Sequence, residues 1–495
     1  MVSFYCLQED FQMFDQYEHE HLHVDGVFSF NNHKSFYKLS HDHLGEFTLE
    51  EKKSFSDLLN DTTIPLWLIR HSLGIGGGEE DTSSFIRTNK KEYNYLDERA
   101  KELELSLLSN TSIRNLEYND LKINLDAGGY SHAVGPIHAG IIEPGHFRFF
   151  VKGELIQHLT IRLGFQHRGI LSKLLGKSAI SAIPISETIS GDTSVAYSMT
   201  FSKIFEKAAK IKVEDDLEII RLILLEVERC AIHIGDIGAM AGDIGYYPLH
   251  GVCATDRGVP LGVMEALVGN RFGKGGIFPG EVRLNKRLKK EALKSIADNL
   301  YKGFQRVEYE FLRAVHNSTI RERLQECGKI TRKMVRQNGF VGMPARCTGI
   351  EMDMRKFETL YLKYFPISLH HTDENLTGDA WSRFYLRYLE LKASVEWLCK
   401  MIPEINIEKS ASGSHLIQSV SKFTPGIYYQ LVEGWRGPVL AVLQINKDGT
   451  IQNSYIRDPS VLNWHALELA VRGELIGDFP LNNKSFNLSY VGFDL

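Results

Sequence analysis

The sequence predicts a mainly α protein of the α+β class, in which a bundle of long helices has small β elements at both ends. Two patterns and the composition support this class. Apolar residues spaced three and four positions apart predict long helices between residues 195 and 401. Alternating apolar residues with turn signals predict strands at 146–163 and 427–455. The content of 43% hydrophobic and 24% charged residues is that of an ordinary globular protein.

The bulk properties exclude some classes of partner. A net charge of -5 provides no basic surface for nucleic acid, so we expect no nucleic-acid partner. The six cysteines are too widely spaced for a metal knuckle or a dense disulfide framework, which indicates a reducing, intracellular compartment. No stretch has the roughly 18 uninterrupted apolar residues of a spanning helix. Any association with a membrane is therefore expected through other subunits.

A break near 115–128 divides the chain, because Asp126-Ala127-Gly128-Gly129 interrupts the pattern. We assign residues 1–120 to an N-terminal region and residues 121–495 to the main domain. The glycine-rich run 74–81 lacks the Lys-Ser/Thr ending of a phosphate loop and continues into acidic residues. It is interpreted as a flexible loop.

The main domain is predicted to begin with a hairpin whose turn is Lys152-Gly153-Glu154. Either Asp215 or Asp216 can cap the long apolar helix that follows. The predicted helices cover 195–208, 215–234, 285–316 and 380–401, and the later strands cover 427–431, 438–445 and 450–455.

Two polar clusters flank the hairpin. The first, at 135–148, places His138, Glu143 and His146 in a Gly/Pro-rich turn before a strand, where ionisable groups can line a cleft. A surface loop with ordinary salt bridges is the alternative. In the second, at 164–169, His167 and Arg168 could bind an anion or influence a redox centre. Arg168 could equally satisfy carbonyls at a helix end.

Two further stretches are helix starts rich in hydroxyl groups. In 187–197, Gly191 allows a tight bend among Ser190, Thr193 and Ser194. The third polar cluster, at 457–465, is a turn built on Asp-Pro, with Ser460 or Asn463 as the predicted cap.

Together these stretches resemble the large subunit of nickel-iron hydrogenases. The likeness is closest to the energy-converting branch that includes formate hydrogenlyase, and it extends to the related 49 kDa subunit of respiratory complex I. It covers about residue 128 to the C-terminus. The motifs that carry it follow in the same order: GPIHAGIIEPGHFRF at 135–149, LGFQHRGI at 163–170, HIGDIGAMAGDIG at 233–245, GNRFGKGGIFPG at 269–280, GFVGMPARCTG at 339–349, GDAWSR at 378–383, VEGWRG at 432–437 and DFPLNNKSFNLSY at 478–490.

The resemblance implies the long-helix bundle of a nickel-iron hydrogenase large subunit, preceded by a subunit-C-like region at 1–120. In those hydrogenases two thiolate pairs hold the metals, because thiolates are soft donors that can bridge both ions. Ser190, Thr193, Ser460 and Asn463 occupy the four thiolate positions here. The resemblance therefore implies that this chain binds no metal and is not a working nickel-iron hydrogenase.

The resemblance also assigns site residues. Glu143 matches the proton-relay glutamate of the hydrogenases, and His138 matches the first histidine at the quinone head-group site of complex I. Either Pro144 or His146 aligns with the second histidine. His167 and Arg168 match a loop that packs near the iron-sulfur cluster of the small subunit. We therefore expect proton handling by Glu143 and His138, and a quinone or cluster environment at His138, His146, His167 and Arg168.

These residues predict a metal-free subunit of a complex-I-like oxidoreductase at the cytoplasmic face of the inner membrane. The chain itself would hold no cofactor. An iron-sulfur small subunit like the corresponding one in complex I would carry a [4Fe-4S] cluster and contact 135–170, 187–198 and 458–465, beside membrane subunits. Quinone is the expected acceptor, and NAD-linked electron transfer is implied by the complex I likeness. The alternatives are a non-catalytic structural subunit, or another metal held by Glu187, Asp192 and Asp458.

Overall fold

The computed structural model describes residues 23–30, 35–41, 47–52, 129–138, 143–364, 376–407 and 423–495. A bundle of long helices carries small antiparallel sheets, which confirms the predicted mainly α, α+β class. The predicted loop at 74–81 and most of the proposed domain boundary lie outside the described residues.

The strands are β1 (His23–Phe30), β2 (Ser35–His41), β3 (Phe47–Lys52), β4 (Gly129–Val134), β5 (His146–Lys152), β6 (Leu155–Arg162), β7 (Ile277–Phe278), β8 (Glu281–Val282), β9 (Gly426–Glu433), β10 (Pro438–Ile445) and β11 (Ile451–Arg457). The helices are α1 (Ile170–Leu174), α2 (Ala179–Ser186), α3 (Ser194–Ala209), α4 (Asp215–Asp243), α5 (Tyr247–Asp256), α6 (Gly258–Val268), α7 (Lys290–Val315), α8 (Ser318–Leu324), α9 (Arg332–Asn338), α10 (Gly342–Arg346), α11 (Thr359–Tyr364), α12 (Ala380–Met401), α13 (Pro459–Ala470), α14 (Phe479–Phe486) and α15 (Tyr490–Asp494).

The helix α4 lies at the centre of the bundle and packs against α5, α6 and α12. It is buried around most of its circumference, which is why its sequence is apolar well beyond one face. The predicted cap is wrong: Asp215 is the first helical residue, and Glu214 precedes it without a side-chain cap. The acidic residues of the first turn still lie near the positive end of the helix dipole.

The helices α7 and α12 pack against each other at the side of α4. The structure confirms α12, whose Asp379 side chain accepts a hydrogen bond from the Ser382 N–H at 2.8 Å. The helix α7 begins at Lys290 rather than at 285, because the Asn285 side chain accepts the N–H of Arg287 and forms a turn. Among the described residues, no helix is long and apolar enough to cross a bilayer.

The sheet β4-β5-β6 lies at one end of the main domain and confirms the predicted hairpin. Its inward residues Phe147, Phe149 and Leu159 are buried against the C-terminal helices. The strand β4 was not predicted, since Gly129 was assigned to the interrupted stretch near the boundary. Gly129 instead begins β4, the edge strand of this sheet, and pairs with Lys152 of β5.

The sheet β9-β10-β11 confirms the three predicted C-terminal strands. The helix α3 covers one face of β9 and β10. Leu39 of β2 packs against Leu440 and Val442 on the other face, so the strands β1–β3 cover the C-terminal sheet. This arrangement explains why β10 is almost continuously apolar, as expected of a strand that is buried on both sides.

Candidate functional site

The loop 187–193 leads into α3 and contains the first two positions where the hydrogenases have thiolates. Ser190 and Thr193 are both buried. Their hydroxyl groups donate to the same oxygen of Asp192, at 2.8 and 2.9 Å. Thr193 precedes α3 without a side-chain cap, because its hydroxyl is used in this contact. The loop is thus organised around one carboxylate.

Arg436 binds this carboxylate from the turn between β9 and β10. Its two terminal nitrogens donate to the two oxygens of Asp192 at 2.8 and 2.7 Å, which is a bidentate pair. The guanidinium lies 3.9 Å from the ring centroid of Trp435, and its Nε donates to the Asn487 carbonyl. Burial acts to raise the pKa of Asp192, but Arg436 lowers it to about 2. We call Asp192, Arg436, Ser190 and Thr193 the ion-pair centre.

The third former ligand position is connected to the ion-pair centre through Ser489. The hydroxyl groups of Ser190 and Ser489 are 3.2 Å apart, and the Ser489 N–H donates to the Ser460 hydroxyl at 2.8 Å. Ser460 is completely buried. Hydrogen bonds between hydroxyl and amide groups therefore join the loop 187–193 to the start of α13.

The fourth former ligand position is used for packing. The side-chain amide of Asn463 accepts from the Val341 N–H at 3.0 Å and donates to the Val341 carbonyl at 3.1 Å. The predicted caps of α13 are wrong, since Asp458 is the residue that accepts the Ser460 N–H at 2.8 Å. Tyr197 donates its hydroxyl to the second Asp458 oxygen at 2.7 Å. This bond ties α3 to α13.

These donors do not fit a nickel-iron pair. All four former ligand positions carry neutral hydroxyl or amide groups, which are poor ligands for soft, low-valent metals. Each of them is engaged in the hydrogen bonds given above, and Arg436 brings a fixed positive charge that would repel a metal ion. Over the described ranges, no three His, Cys, Asp or Glu side chains form a group suited to a metal. Glu187, one of the three acids of the alternative metal site, accepts the Gly275 N–H.

Glu143 lies beside the ion-pair centre on the side of α15. It is partly buried and accepts the Tyr490 N–H at 3.3 Å. Burial and the negative charge of Asp192 raise the pKa of Glu143, while Tyr490 and Arg436 oppose them. Glu143 is thus a carboxyl group that can hold and release a proton near the centre.

The two histidines of the first polar cluster fasten the loop that carries Glu143. The Nε2 of His138 lies 2.7 Å from the Gly145 carbonyl, and the Nδ1 of His146 lies 3.1 Å from the Gly135 carbonyl. A carbonyl oxygen only accepts, so each of these nitrogens carries a proton. These two contacts join residues 135–138 to residues 145–146, on either side of Glu143.

Arg168 and His167 of the second polar cluster bind the loop 187–193 and the end of α15. Arg168 donates to the carbonyls of Thr188 and Ile189 at 2.5 and 2.8 Å, just after α2. His167 donates from Nδ1 to the Asp494 carbonyl at 2.8 Å. Arg168 therefore makes the carbonyl contacts of the second alternative, and it fixes the loop 187–193 against the C-terminus.

A second polar assembly, absent from the sequence-based prediction, lies inside the bundle. Its members are all buried, and we call them the buried network: Glu226, Arg229, His233, Arg346, Asp353, Arg355, Glu390 and Glu433. Arg346 binds Glu390 at 2.8 Å and Glu433 at 2.6 Å. Burial and the charge of Asp353 raise the pKa of Glu433 to about 7. Only the tertiary fold could reveal this network, since its members are up to 207 positions apart, from Glu226 to Glu433.

The turn 433–436 joins the buried network to the ion-pair centre. Arg229 donates to the Glu433 and Gly434 carbonyls at 2.8 and 3.3 Å, and Trp435 donates from Nε1 to the Asp192 carbonyl at 3.0 Å.

The helix α10 approaches this turn closely, and the approach requires a glycine at position 342. Gly342 has a φ of 62° and lies so near the Arg436 carbonyl that a Cβ atom would overlap it.

Comparison with solved structures defines the class of fold. The chain superposes on a chain of the membrane-bound sulfane sulfur reductase, an archaeal respiratory membrane complex, with a TM-score of 0.65 and 20% identity. The match covers 75% of this chain and 100% of the other. The two chains therefore share one fold, and the predicted mainly α, long-helix fold class is confirmed.

Sequence comparison identifies the family. Residues 243–494, about half of the chain, match the family described as respiratory-chain NADH dehydrogenase, 49 kDa subunit, and the chain belongs to it. The membrane-bound hydrogenase subunit alpha of Pyrococcus furiosus is 28% identical over 70% of this chain and 82% of its own length. A subunit of the NADH-quinone oxidoreductase of Thermosipho melanesiensis is 29% identical over 61% of this chain and 82% of its own. The resemblance inferred from the motifs is confirmed.

Proposed function

We propose that this chain is a peripheral subunit of a membrane-associated oxidoreductase in which the ion-pair centre has replaced the nickel-iron site. Its acceptor is a quinone, which is reduced beside Glu143 and His138. The observation that carries this proposal is the bidentate contact between Arg436 and Asp192, to which Ser190 and Thr193 are hydrogen-bonded. This ion pair occupies the hydroxyl groups at two of the four former ligand positions, which disfavours a bound metal pair and keeps the site charged and ordered.

The composition of the site suits a reaction that couples protons to electrons. Reduction of a quinone to a quinol takes two electrons and two protons. We assign one proton to Glu143, a carboxyl group whose pKa is raised by burial and by the charge of Asp192. We assign the other to His138, since an imidazole can act as a general acid. His146, His167 and Arg168 shape the surroundings by fixing the two loops.

The electrons require a partner, because no described residue of this chain provides a redox centre. We assign that role to an iron-sulfur subunit with a [4Fe-4S] cluster, docked on 135–170, 187–198 and 458–465. Exposed apolar residues on the first of these segments support a docking surface there, notably Ile137 at 91% exposure. The named relatives are subunits of a membrane-bound hydrogenase and of an NADH-quinone oxidoreductase, which supports membrane partners. The position at the cytoplasmic face of the inner membrane is a prediction from the resemblance. NAD-linked transfer remains a prediction from the resemblance.

Elemental analysis of the purified complex is the first test. We expect iron from the partner's cluster and no stoichiometric nickel. One nickel per complex would overturn the assignment of the ion-pair centre, because the charge of Arg436 and the neutral donors do not suit that ion. Another metal at one per complex would support the alternative of a new metal site.

Quinone reduction by the same complex is the second test. Glu143→Gln and His138→Ala should each lower turnover by about 100-fold or more, the usual effect of losing a general acid. Glu474→Gln is a matched control, since Glu474 is also a partly buried carboxyl with a raised pKa that accepts a backbone N–H. Turnover unaffected by both site variants would refute the proton-handling roles. No turnover in the wild-type complex would favour a structural subunit.

A further inference from the structure

Glu228 of α4 is a buried carboxyl group that the proposed reaction does not yet use. It accepts the Val195 N–H at 2.7 Å and the Ala196 N–H at 3.4 Å, two amides of the first turn of α3 that have no carbonyl partner within the helix. Helix amides usually stabilise a carboxylate. Burial is the larger effect here: together with the charge of Asp192 it raises the pKa of Glu228 to about 8, against the opposing amides and Arg229.

A narrow cleft connects Glu228 with the ion-pair centre. Gly191, Asp192 and Glu228 all line it, together with apolar side chains of α4 and α6. Its volume is about 10 Å³, which is room for about one water molecule. Two carboxyl groups in the wall give such a water the polar partners that it needs.

The exposed residues Arg271 and Phe272 also line the cleft, and Phe272 is 43% exposed. The charged groups that face Glu228 are thus Asp192 from the loop, Arg229 from its own helix and Arg271 from the loop after α6. Phe272 is the one aromatic side chain in the lining, at a position where it can restrict entry of water.

We propose that Glu228 is a second proton-relay group, which exchanges protons between solvent at Phe272 and the ion-pair centre through a water molecule in this cleft. It serves the centre from the α4 side, whereas Glu143 lies on the α15 side. In each cycle Glu228 gives its proton to the water and regains one from solvent, so that no electron is exchanged. This inference rests on the proposed function for its use in turnover, but not for its protonation or its access to solvent.

Infrared difference spectroscopy of the assembled complex tests the protonation directly. Between pH 6 and pH 10, the wild type should lose a band of a protonated carboxyl group with a midpoint near pH 8. Glu228→Gln should lack this band, whereas the control Glu474→Gln should retain it. Glu228→Asp should restore a carboxyl band at a shifted position, which separates loss of the group from a folding defect. An unchanged band in Glu228→Gln would overturn the proposal.

The route through the cleft is tested by transfer into D₂O. The Glu228 band should shift sooner in Phe272→Ala and later in Phe272→Trp than in the wild type, by about tenfold each way if the ring controls entry. Equal rates in both variants would refute the route.

In quinone assays Glu228→Gln should lose about 100-fold in turnover, with partial recovery in Glu228→Asp. A wild type without quinone turnover but with both infrared results would refute only the proposed function.

Discussion

Asp192→Asn removes the negative charge of the ion-pair centre while it preserves the shape of the side chain. The pKa of Asp192 falls from the ordinary 3.8 to about 2, which corresponds to about 2 kcal/mol of interaction at 1.36 kcal/mol per unit. Leaving a fully buried partner unpaired typically costs about 3–5 kcal/mol. The Asp192 side chain is 33% exposed, so water offsets part of that loss, and we expect about 2–3 kcal/mol.

Native-state hydrogen exchange of the segment 187–197 in the assembled complex measures this loss as a free energy of local opening. Arg436→Gln and the double variant complete a cycle. The double variant should lose less than the sum of the single losses, because it leaves no unpaired charge in the site, with a coupling of about 1–3 kcal/mol.

The pH dependence gives an independent check. Because the pKa of Asp192 is lowered on folding, its stabilising effect is present above pH 3.8 and is lost as pH falls through about 2. Asp192→Asn should lack this acid-dependent loss in the segment 187–197. Additive single losses, or opening free energies that Asp192→Asn leaves unchanged, would show that the ion pair does not stabilise the loop.

Three further predictions test other parts of the structure, one of them with a control variant. Glu390→Gln leaves two buried arginines short of a charge partner, and should lower the unfolding free energy by about 3–5 kcal/mol in denaturation. Gly342→Ala should cost about 2–4 kcal/mol by pushing on the Arg436 carbonyl, whereas Gly477→Ala, with no neighbour within 4 Å, should be nearly neutral. Between pH 4.5 and 8 the folded wild type holds the Glu228 proton and the unfolded chain does not, so its unfolding free energy should fall by up to about 1.4 kcal/mol for each unit by which the pH rises. Glu228→Gln should lack this fall, which denaturation at several pH values measures.

Sequence patterns were sufficient wherever local chemistry determines the structure. The alternation in 146–163 gave the hairpin, and Asp379 correctly marked the start of α12. Local patterns were misleading where a side chain had two possible uses. Asn285 forms a turn instead of starting a helix, and Asp458 rather than Ser460 caps α13.

The ion-pair centre could be predicted only in part. The absence of four thiolates was visible in the sequence, but the 244 positions between Asp192 and Arg436 carry no local sign of their contact. One signal was available: Asp192 is the acid between two former ligand positions, and a buried arginine requires a counter-charge. The buried network had no such signal, because acidic and basic residues on long helices usually face solvent.

The contact between the strands β1–β3 and the C-terminal sheet also affects how the molecule is assembled. Leu39 and its neighbours cover apolar residues of β9, β10 and β11 from within the same polypeptide. Because the two sheets belong to one polypeptide, their contact is intramolecular and does not depend on the concentration of the protein. A separate subunit of equal affinity would dissociate as the protein became scarce. The strands β1–β3 are therefore present once for every C-terminal sheet, at any expression level.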